Sequence, residues 1–232
     1  MNIGGSTSQL YGNPDWLTMH QVGNANRNHN DSDAIEKMFN LTPPKPCYNQ
    51  EPYFIGSDSP GAQFDNRRTM YSCLLRGGLA GVAYEAQGQT RAVRETSNVR
   101  YHPLMWVSVT WNAASQAQHA GTFMLTHGNK YWDLLPHKEL LSPAWNSTPY
   151  WAYCMRTDDK QLFKLYFEKN AARTDLSGAL PNTAYKAQWF NPRTGTWTNV
   201  GDSGTVKSGD DGVIPLPACP STEDWCLSLS TE

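Results

Sequence analysis
Charged side chains are sparse in this chain of 232 residues, at 17%, and they nearly cancel: 19 Lys and Arg against 21 Asp and Glu. Without a basic run there is no footprint for tracking phosphates, so no nucleic-acid partner is expected. No apolar stretch approaches the roughly 18 residues of a membrane span, so no membrane partner is expected either. Met1 to Leu10 lacks the basic start and apolar middle of a signal peptide. Cysteine is confined to Cys47, Cys73, Cys154, Cys219 and Cys226, with no C-x-x-C pair. Cys47 and Cys73 read as buried thiols, while Cys219 and Cys226, across a Pro-Ser-Thr turn, leave a local disulfide open. The six histidines are scattered with no H-x-x-x-H pair, so neither a metal site nor a cofactor is expected. Aromatic rings, in contrast, are plentiful, with 9 Trp and 11 Tyr. Such rings either fill β-sandwich cores or offer flat faces on which the C–H side of a sugar stacks, and both readings are open here.

At about 150 residues per domain the length suits one or two domains, and the pattern changes near residue 143. Before it, helical and short apolar segments alternate. Asp15–Val22 reads as a helix start or short helix, and Asp33–Asn40 as a helical turn or two with Ile35, Met38 and Phe39 on one face. Lys45–Asn49 enters a short strand whose end carries Gln50, Glu51 and Pro52. Phe54–Asn66 reads as a loop, Arg67–Arg76 as a helix stopped by Gly77-Gly78, and Leu79–Tyr84 as a strand. An irregular stretch over Glu85–Met105 precedes a helix over Ala117–Trp132, ended by Leu134-Leu135-Pro136. This order is that of βα units with long loops after the strands, the loops that build active sites in (β/α) barrels. After Pro143, short strands follow over 150–155, 161–167, 185–191, 196–200, 212–216 and 224–229, separated by turn residues, which predicts a small antiparallel sandwich. In 161–167, Leu162, Lys164 and Tyr166 alternate with Phe163, Leu165 and Phe167.

The segment Lys45–Phe54 carries the strongest chemical signal. A carboxylate at a strand tip, between the amides of Asn49 and Gln50 and the rings of Tyr48 and Tyr53, has the surroundings a glycosidase nucleophile needs. Most glutamates are simply solvated, and that plainer reading stands beside it.

The order of segments resembles the C-terminal half of the apiosidase-like glycoside hydrolases. The residues that carry the resemblance are Gly4–Ser8, Pro14–Leu17, Gln21–Gly23, Lys45-Pro46, Asn49–Tyr53, Asp65–Tyr71, Gly77–Tyr84, Gly121–Pro136, Trp189–Gly195 and Asp224–Leu227. The resemblance implies α/β plus all-β architecture: the last two or three βα units of a (β/α)8, TIM-type barrel over 1–142, then a β-sandwich of the collagen-binding type over 143–232. It implies that Glu51 is the nucleophile at the end of the seventh barrel strand, with Met1–Ser8 left from the sixth and Leu79–Tyr84 the eighth. Gln21, Asn49, Gln50, Tyr53, Arg68 and Tyr84 are the candidate sugar contacts. Arg68 reads equally as a structural ion pair, and Tyr84 as a core ring. Trp189 and Trp197, flanking a turn of the sandwich, are a candidate stacking face, although core packing is the better reading for Trp189, because Phe190 alternates with it and one of the two must point inward.

Three positions depart from the family pattern: Gln50 replaces a glycine, and Asn24 and Val82 each replace a histidine. The family's acid/base comes from an earlier strand, so the resemblance implies that this chain alone hydrolyses little. Asp15, Asp31, Asp33, Asp58, Asp65 and Glu85 are the alternatives for the acid in this half, each with a plainer role. Asp15 reads as a helix cap, Asp31 and Asp33 as turn or cap residues, and Asp65 as a partner of Arg67 or Arg68. The expected partners are a carbohydrate substrate and either a missing N-terminal barrel half or a second copy of the chain. The parent protein is expected outside the cytoplasm. The alternative is a non-catalytic module that binds carbohydrate or matrix protein beside a vestigial half-barrel.

Overall fold
The computed structural model describes residues 5–23, 30–51, 53–86, 105–142, 146–147 and 150–231. Its contacts divide the chain into two compact units, Met1–Ala120 and Gly121–Glu232. No described helix is long and apolar enough to cross a membrane.

The first unit runs β1 (Gly5–Ser6), α1 (Thr7–Tyr11), β2 (His20–Gly23), α2 (Asn30–Phe39), β3 (Cys47–Glu51), β4 (Phe54–Ile55), α3 (Pro60–Leu74), β5 (Glu85–Ala86), α4 (Met105–Ser108) and α5 (Asn112–Leu125), the last crossing into the second unit. β1 lies antiparallel to β2, and β2 parallel to β3, so β2–α2–β3 is a βαβ crossover. On the other side of β3 the chain over 80–83 is its next parallel neighbour. Asn49 N donates to Gly81 O at 3.1 Å, and Ala83 N to Asn49 O at 3.0 Å. β4 and β5 continue this pairing, with Phe54 opposite Glu85. Helices cover one face, where Ile35, Met38 and Cys73 pack on Val22 and Cys47.

The local causes are readable. In α2, Ile35, Met38 and Phe39 fall on one face as the spacing predicts, with Asp31 and Asp33 in the first turn where the helix dipole favours acids. α3 opens on Ser59, whose Oγ accepts from Ala62 N at 3.3 Å, followed by Pro60. The helix therefore starts inside the segment expected to be a loop. Its stop is as expected: Gly77 has φ 102°, and a Cβ there would collide with the Phe39 ring.

Three further expectations are corrected. Asp15-Trp16 is a turn, closed by Leu17 N on Pro14 O at 3.0 Å, and the chain continues as β2. Parallel pairing with β3 there outweighs the helical spacing. Over Leu79–Tyr84 the strand is reduced to a bridge at Val82, because Gly81 holds φ 120°, and β5 begins only at Glu85. The helix expected over Ala117–Trp132 ends at Leu125; Gly128 (φ 57°) starts a separate 3-10 helix, Gly128–Asp133, and Leu134–Pro136 is a strand. Most of the stretch expected to be irregular over Glu85–Met105 lies outside the described residues.

The second unit contains β6 (Leu134–Pro136), β7 (Leu141–Ser142), β8 (Asn146–Ser147), β9 (Tyr150–Thr157), β10 (Leu162–Phe167), β11 (Asp175–Leu176), β12 (Ala184–Asn191), β13 (Thr196–Asn199), β14 (Thr205–Lys207), β15 (Ile214–Pro215) and β16 (Trp225–Ser230). The main antiparallel sheet has the order β13-β12-β16-β10-β9-β6, and a smaller one the order β15-β11-β7. One core joins them: Leu141, Leu176 and Ile214 from the small sheet meet Phe163, Leu165, Phe167, Trp189, Leu227 and Leu229 from the large one. This is the expected two-layer sandwich.

The alternation in β10 does not mark a wet face, since all six of its residues are buried. Lys164 lies beneath the last turn of α5, with Nζ donating to Phe123 O at 3.0 Å and lying over the Phe123 ring at 4.5 Å. The five thiols are free, Cys219 and Cys226 included, so the local disulfide is not formed. Nor do Trp189 and Trp197 share a stacking face. Trp189 is buried in the core against Trp225, whereas Trp197 packs on Phe190 at 4.7 Å.

Candidate active site
β3 is built with one face to the helices and one away from them. Cys47 and Asn49 point at the helices: Asn49 is wholly buried, and its Nδ2 donates to Asp31 Oδ2 at 3.4 Å and Cys73 Sγ at 3.2 Å. Strict alternation would send Glu51 the same way. A β-bulge breaks the register there, for Val22 pairs with Asn49 and Gly23 already with Glu51, leaving Gln50 as the extra residue. Glu51 N donates to Asn49 Oδ1 at 3.0 Å, which fixes the bulge. Gln50 and Glu51 are thereby brought together beside Gly23, where a Cβ would meet Gln50 Cγ at 2.9 Å and Glu51 Cβ at 3.2 Å. Asn49 thus touches Glu51 through its backbone.

Glu51 ends at the tip of β3, 8% exposed. Its neighbour is Glu85, at the corresponding tip of the adjacent parallel segment. Burial, and then the charge of Glu51, push the Glu85 carboxyl up to about 7. Its Oε2 is buried without a hydrogen-bond partner among the described residues. Tyr48, on the face of β3 opposite Asn49, completes the group: its hydroxyl is raised by burial and then by the charge of Glu85. Two carboxyls and a phenol, from β3 and from the start of β5, can hold a proton, present a carboxylate and contact a sugar hydroxyl.

The other expected site residues distribute unevenly. Gln21 is half-buried on β2, level with Tyr48, with its backbone N–H held by Thr7 Oγ1 at 3.0 Å. Tyr53 is buried in a cluster with Ile55, Ala86 and Ala113, against which Tyr84 packs. The Tyr84 hydroxyl donates to Ser108 O at 2.9 Å and is pushed up to about 12 by burial and then by Asp58. Arg68 pairs with Asp65 at 3.2 Å and lies over the Phe64 ring at 5.6 Å, the structural role read beside the functional one.

The remaining carboxylates are also occupied structurally. Asp33 pairs with Arg76 at 2.8 Å, and Asp58 accepts from Asn112 N at 3.0 Å at the start of α5. Asp15 lies in a turn rather than at a helix cap. Of the departures from the family pattern, Gln50 is the bulge residue, Val82 bridges Asn49, and Asn24 lies outside the described residues.

Residues 1–133 match the family described as "Apiosidase-like, catalytic domain". The chain belongs to the apiosidase-like family. Residues 136–230 of this apiosidase-like chain match a second family, described as "Putative collagen-binding domain of a collagenase". Among solved structures it is similar to a protein titled "Glycoside hydrolase", with TM-score 0.77 and 14% identity over 98% of this chain and 55% of that one. A glycoside hydrolase family 5 structure from Bacteroides vulgatus is similar as well, with TM-score 0.75 and 15% identity over 97% of this chain and 53% of the other. The chain therefore spans about half the length of the structures it matches. No curated protein matches it.

Sequence reasoning placed Tyr48 beside the nucleophile without counting it among the site residues, and weighed Glu85 only as one of several alternatives for the acid. A signal was present for Glu85, a carboxylate directly after an apolar run of small residues, Leu79–Tyr84, and so at a strand end.

Proposed function
We propose that this chain carries the nucleophilic half of a glycoside hydrolase site, with Glu51 as nucleophile on the last βα units of a (β/α)8 barrel. The parallel order of β2, β3 and the chain over 80–83, with helices on one face, supports the barrel reading. The observation that carries the functional one is the pairing of Glu51 with Glu85, whose proton is held near neutral pH by burial and by that neighbour. Glycosidases need two carboxyls in different states, one ionised and one bearing a proton. Here Glu51 attacks the anomeric carbon as the bond to the leaving oxygen breaks, and Glu85 delivers its proton to that oxygen. Water then cleaves the glycosyl ester and returns a proton to Glu85. In this reading the chain supplies its own second carboxyl, in addition to any from an earlier strand.

The test is hydrolysis of a panel of p-nitrophenyl glycosides by the chain. Turnover is expected to fall to background in Glu51→Gln, and by about 10²–10⁴ in Glu85→Gln on the matching phenyl glycosides, whose leaving group needs protonation, and by less on the p-nitrophenyl ones. The alkaline limb of the pH profile, set by Glu85 near pH 7, is expected to disappear in Glu85→Gln. Unchanged turnover in Glu51→Gln, or a wild-type chain silent on the whole panel, overturns the reading.

A further inference from the structure
The second unit has its own concavity. Leu134 of β6 pairs with Thr157 of β9, and beyond that pair the two segments part. One leads back to Asp133 and Trp132 in the 3-10 helix; the other enters the turn Asp158-Asp159-Lys160, closed by Lys160 N on Thr157 O at 2.9 Å. Between them lies a cleft of about 450 Å³, completed by Lys130 and Leu135. Ligand sites commonly fall between about 300 and 1,000 Å³.

Its lining combines a bare aromatic face with ordered polar groups. Trp132 is 62% exposed, whereas Trp189 and Trp225 of the same unit are buried. Its ring is braced edge-on by Tyr131, with centroids 5.6 Å apart, so the indole is held in place before any ligand arrives. Asp159 is fixed as well: its Oδ1 accepts from Thr157 Oγ1 at 2.5 Å and from Gln161 N at 3.0 Å. A flat apolar ring beside carboxylate acceptors and an ammonium donor matches a pyranose, which has an apolar C–H face and a rim of hydroxyls that both donate and accept.

Charge narrows the class. Asp133, Asp158 and Asp159 against Lys130 leave the lining net negative, which disfavours uronic, sulfated or phosphorylated sugars. The described residues form no group of three metal-ligating side chains, and one exposed ring is far short of the apolar core of a protein interface. We propose that this cleft binds a neutral oligosaccharide, with Trp132 as the stacking platform and Asp158 and Asp159 as hydroxyl acceptors.

The test titrates the full chain with cellohexaose, xylohexaose and mannohexaose, and with trigalacturonate as acidic control, following tryptophan fluorescence and calorimetry. Saturable binding of at least one neutral hexasaccharide in the millimolar range or tighter is expected, with no response to trigalacturonate. Trp132→Ala weakens binding at least tenfold, Trp132→Phe by less, and Asp159→Asn several-fold, with far-UV circular dichroism unchanged. Glu51→Gln leaves it intact, which separates this cleft from the site on β3. Binding of none of the three neutral sugars, wild-type affinity in Trp132→Ala, or equal affinity for trigalacturonate overturns the proposal, as does a fluorescence response to calcium alone.

Discussion
Two side chains, Glu85 and Lys164, hold ionisable groups where water cannot fully solvate them, and their effects on stability run in opposite directions with pH. Glu85 titrates near 7 in the folded chain against an ordinary value of 4.5. Between these values the folded state binds the extra proton, so stability falls as pH rises through the window, and the penalty is complete above 7. Glu85→Gln is therefore expected to stabilise by about 1–2 kcal/mol at pH 8, the shift being discounted for partial solvent access, and to do little at pH 4.5. Lys164 is brought down to about 7 from 10.5 by burial. Here the unfolded state binds the extra proton between 7 and 10.5, so stability rises with pH across that range and the whole penalty is felt below 7. Lys164→Met is expected to stabilise by about 2 kcal/mol or more at pH 6 and to lose that advantage near pH 10.5. Urea midpoints measured at the two pH values for each variant decide both expectations.

At the scale of the element, the tip of β3 shows how backbone geometry selects a side chain's direction. The bulge at Gln50 sets Gln50 and Glu51 together against Gly23, and the charge of Glu51 acts on Glu85. The bulge leans on Gly23, and Gly23→Ala forces Glu51 Cβ to give way by a few tenths of an ångström while the Gln50 side chain swings aside. A fall of about tenfold or more in kcat is expected with a melting temperature changed by only a few degrees, because a small misplacement at a reacting group costs far more in rate than in folding. Some of this was legible beforehand. The strand ending in Glu51, the face of α2 and the Gly77 stop follow from spacing and from glycine. The bulge did not, because it depends on the partner strand, which periodicity within one segment does not report. The short 3-10 helix and β6 were hidden for a related reason. Tyr131, Trp132, Leu134 and Leu135 continue a helical spacing, and only Gly128 and the pairing with β9 break it. Of the sandwich aromatics, Trp189 lies in the core, as its alternation with Phe190 favoured, whereas the exposure of Trp132 was not legible, because a strand's two faces look alike in sequence when both are covered.

On the scale of the whole molecule, the division into Met1–Ala120 and Gly121–Glu232 runs through α5 rather than through a linker. The last turn of that helix belongs to the sandwich. Phe123 is buried, stacks on Phe190 at 5.5 Å and on Trp197 at 5.9 Å, and lends its carbonyl to Lys164. The first unit offers no such closed accounting, since the chain spans about half the length of the structures it resembles. The sandwich therefore ought to be the part that stands alone, provided it keeps its helix. A fragment of residues 112–232 is expected to unfold in one cooperative transition and to keep the oligosaccharide affinity of the full chain. A fragment of residues 126–232 uncovers Phe190 and Trp197 and strips Lys164 of its acceptor. Losing a buried phenylalanine costs about 3–5 kcal/mol, while Lys164, no longer covered, regains water and loses its burial penalty at low pH. Equal urea midpoints for the two fragments would show that α5 contributes nothing to the sandwich. A midpoint lowered in the shorter fragment at pH 9, where Lys164 is neutral, and lowered less at pH 6, where uncovering Lys164 relieves its burial penalty, identifies the helix turn as part of that unit's core.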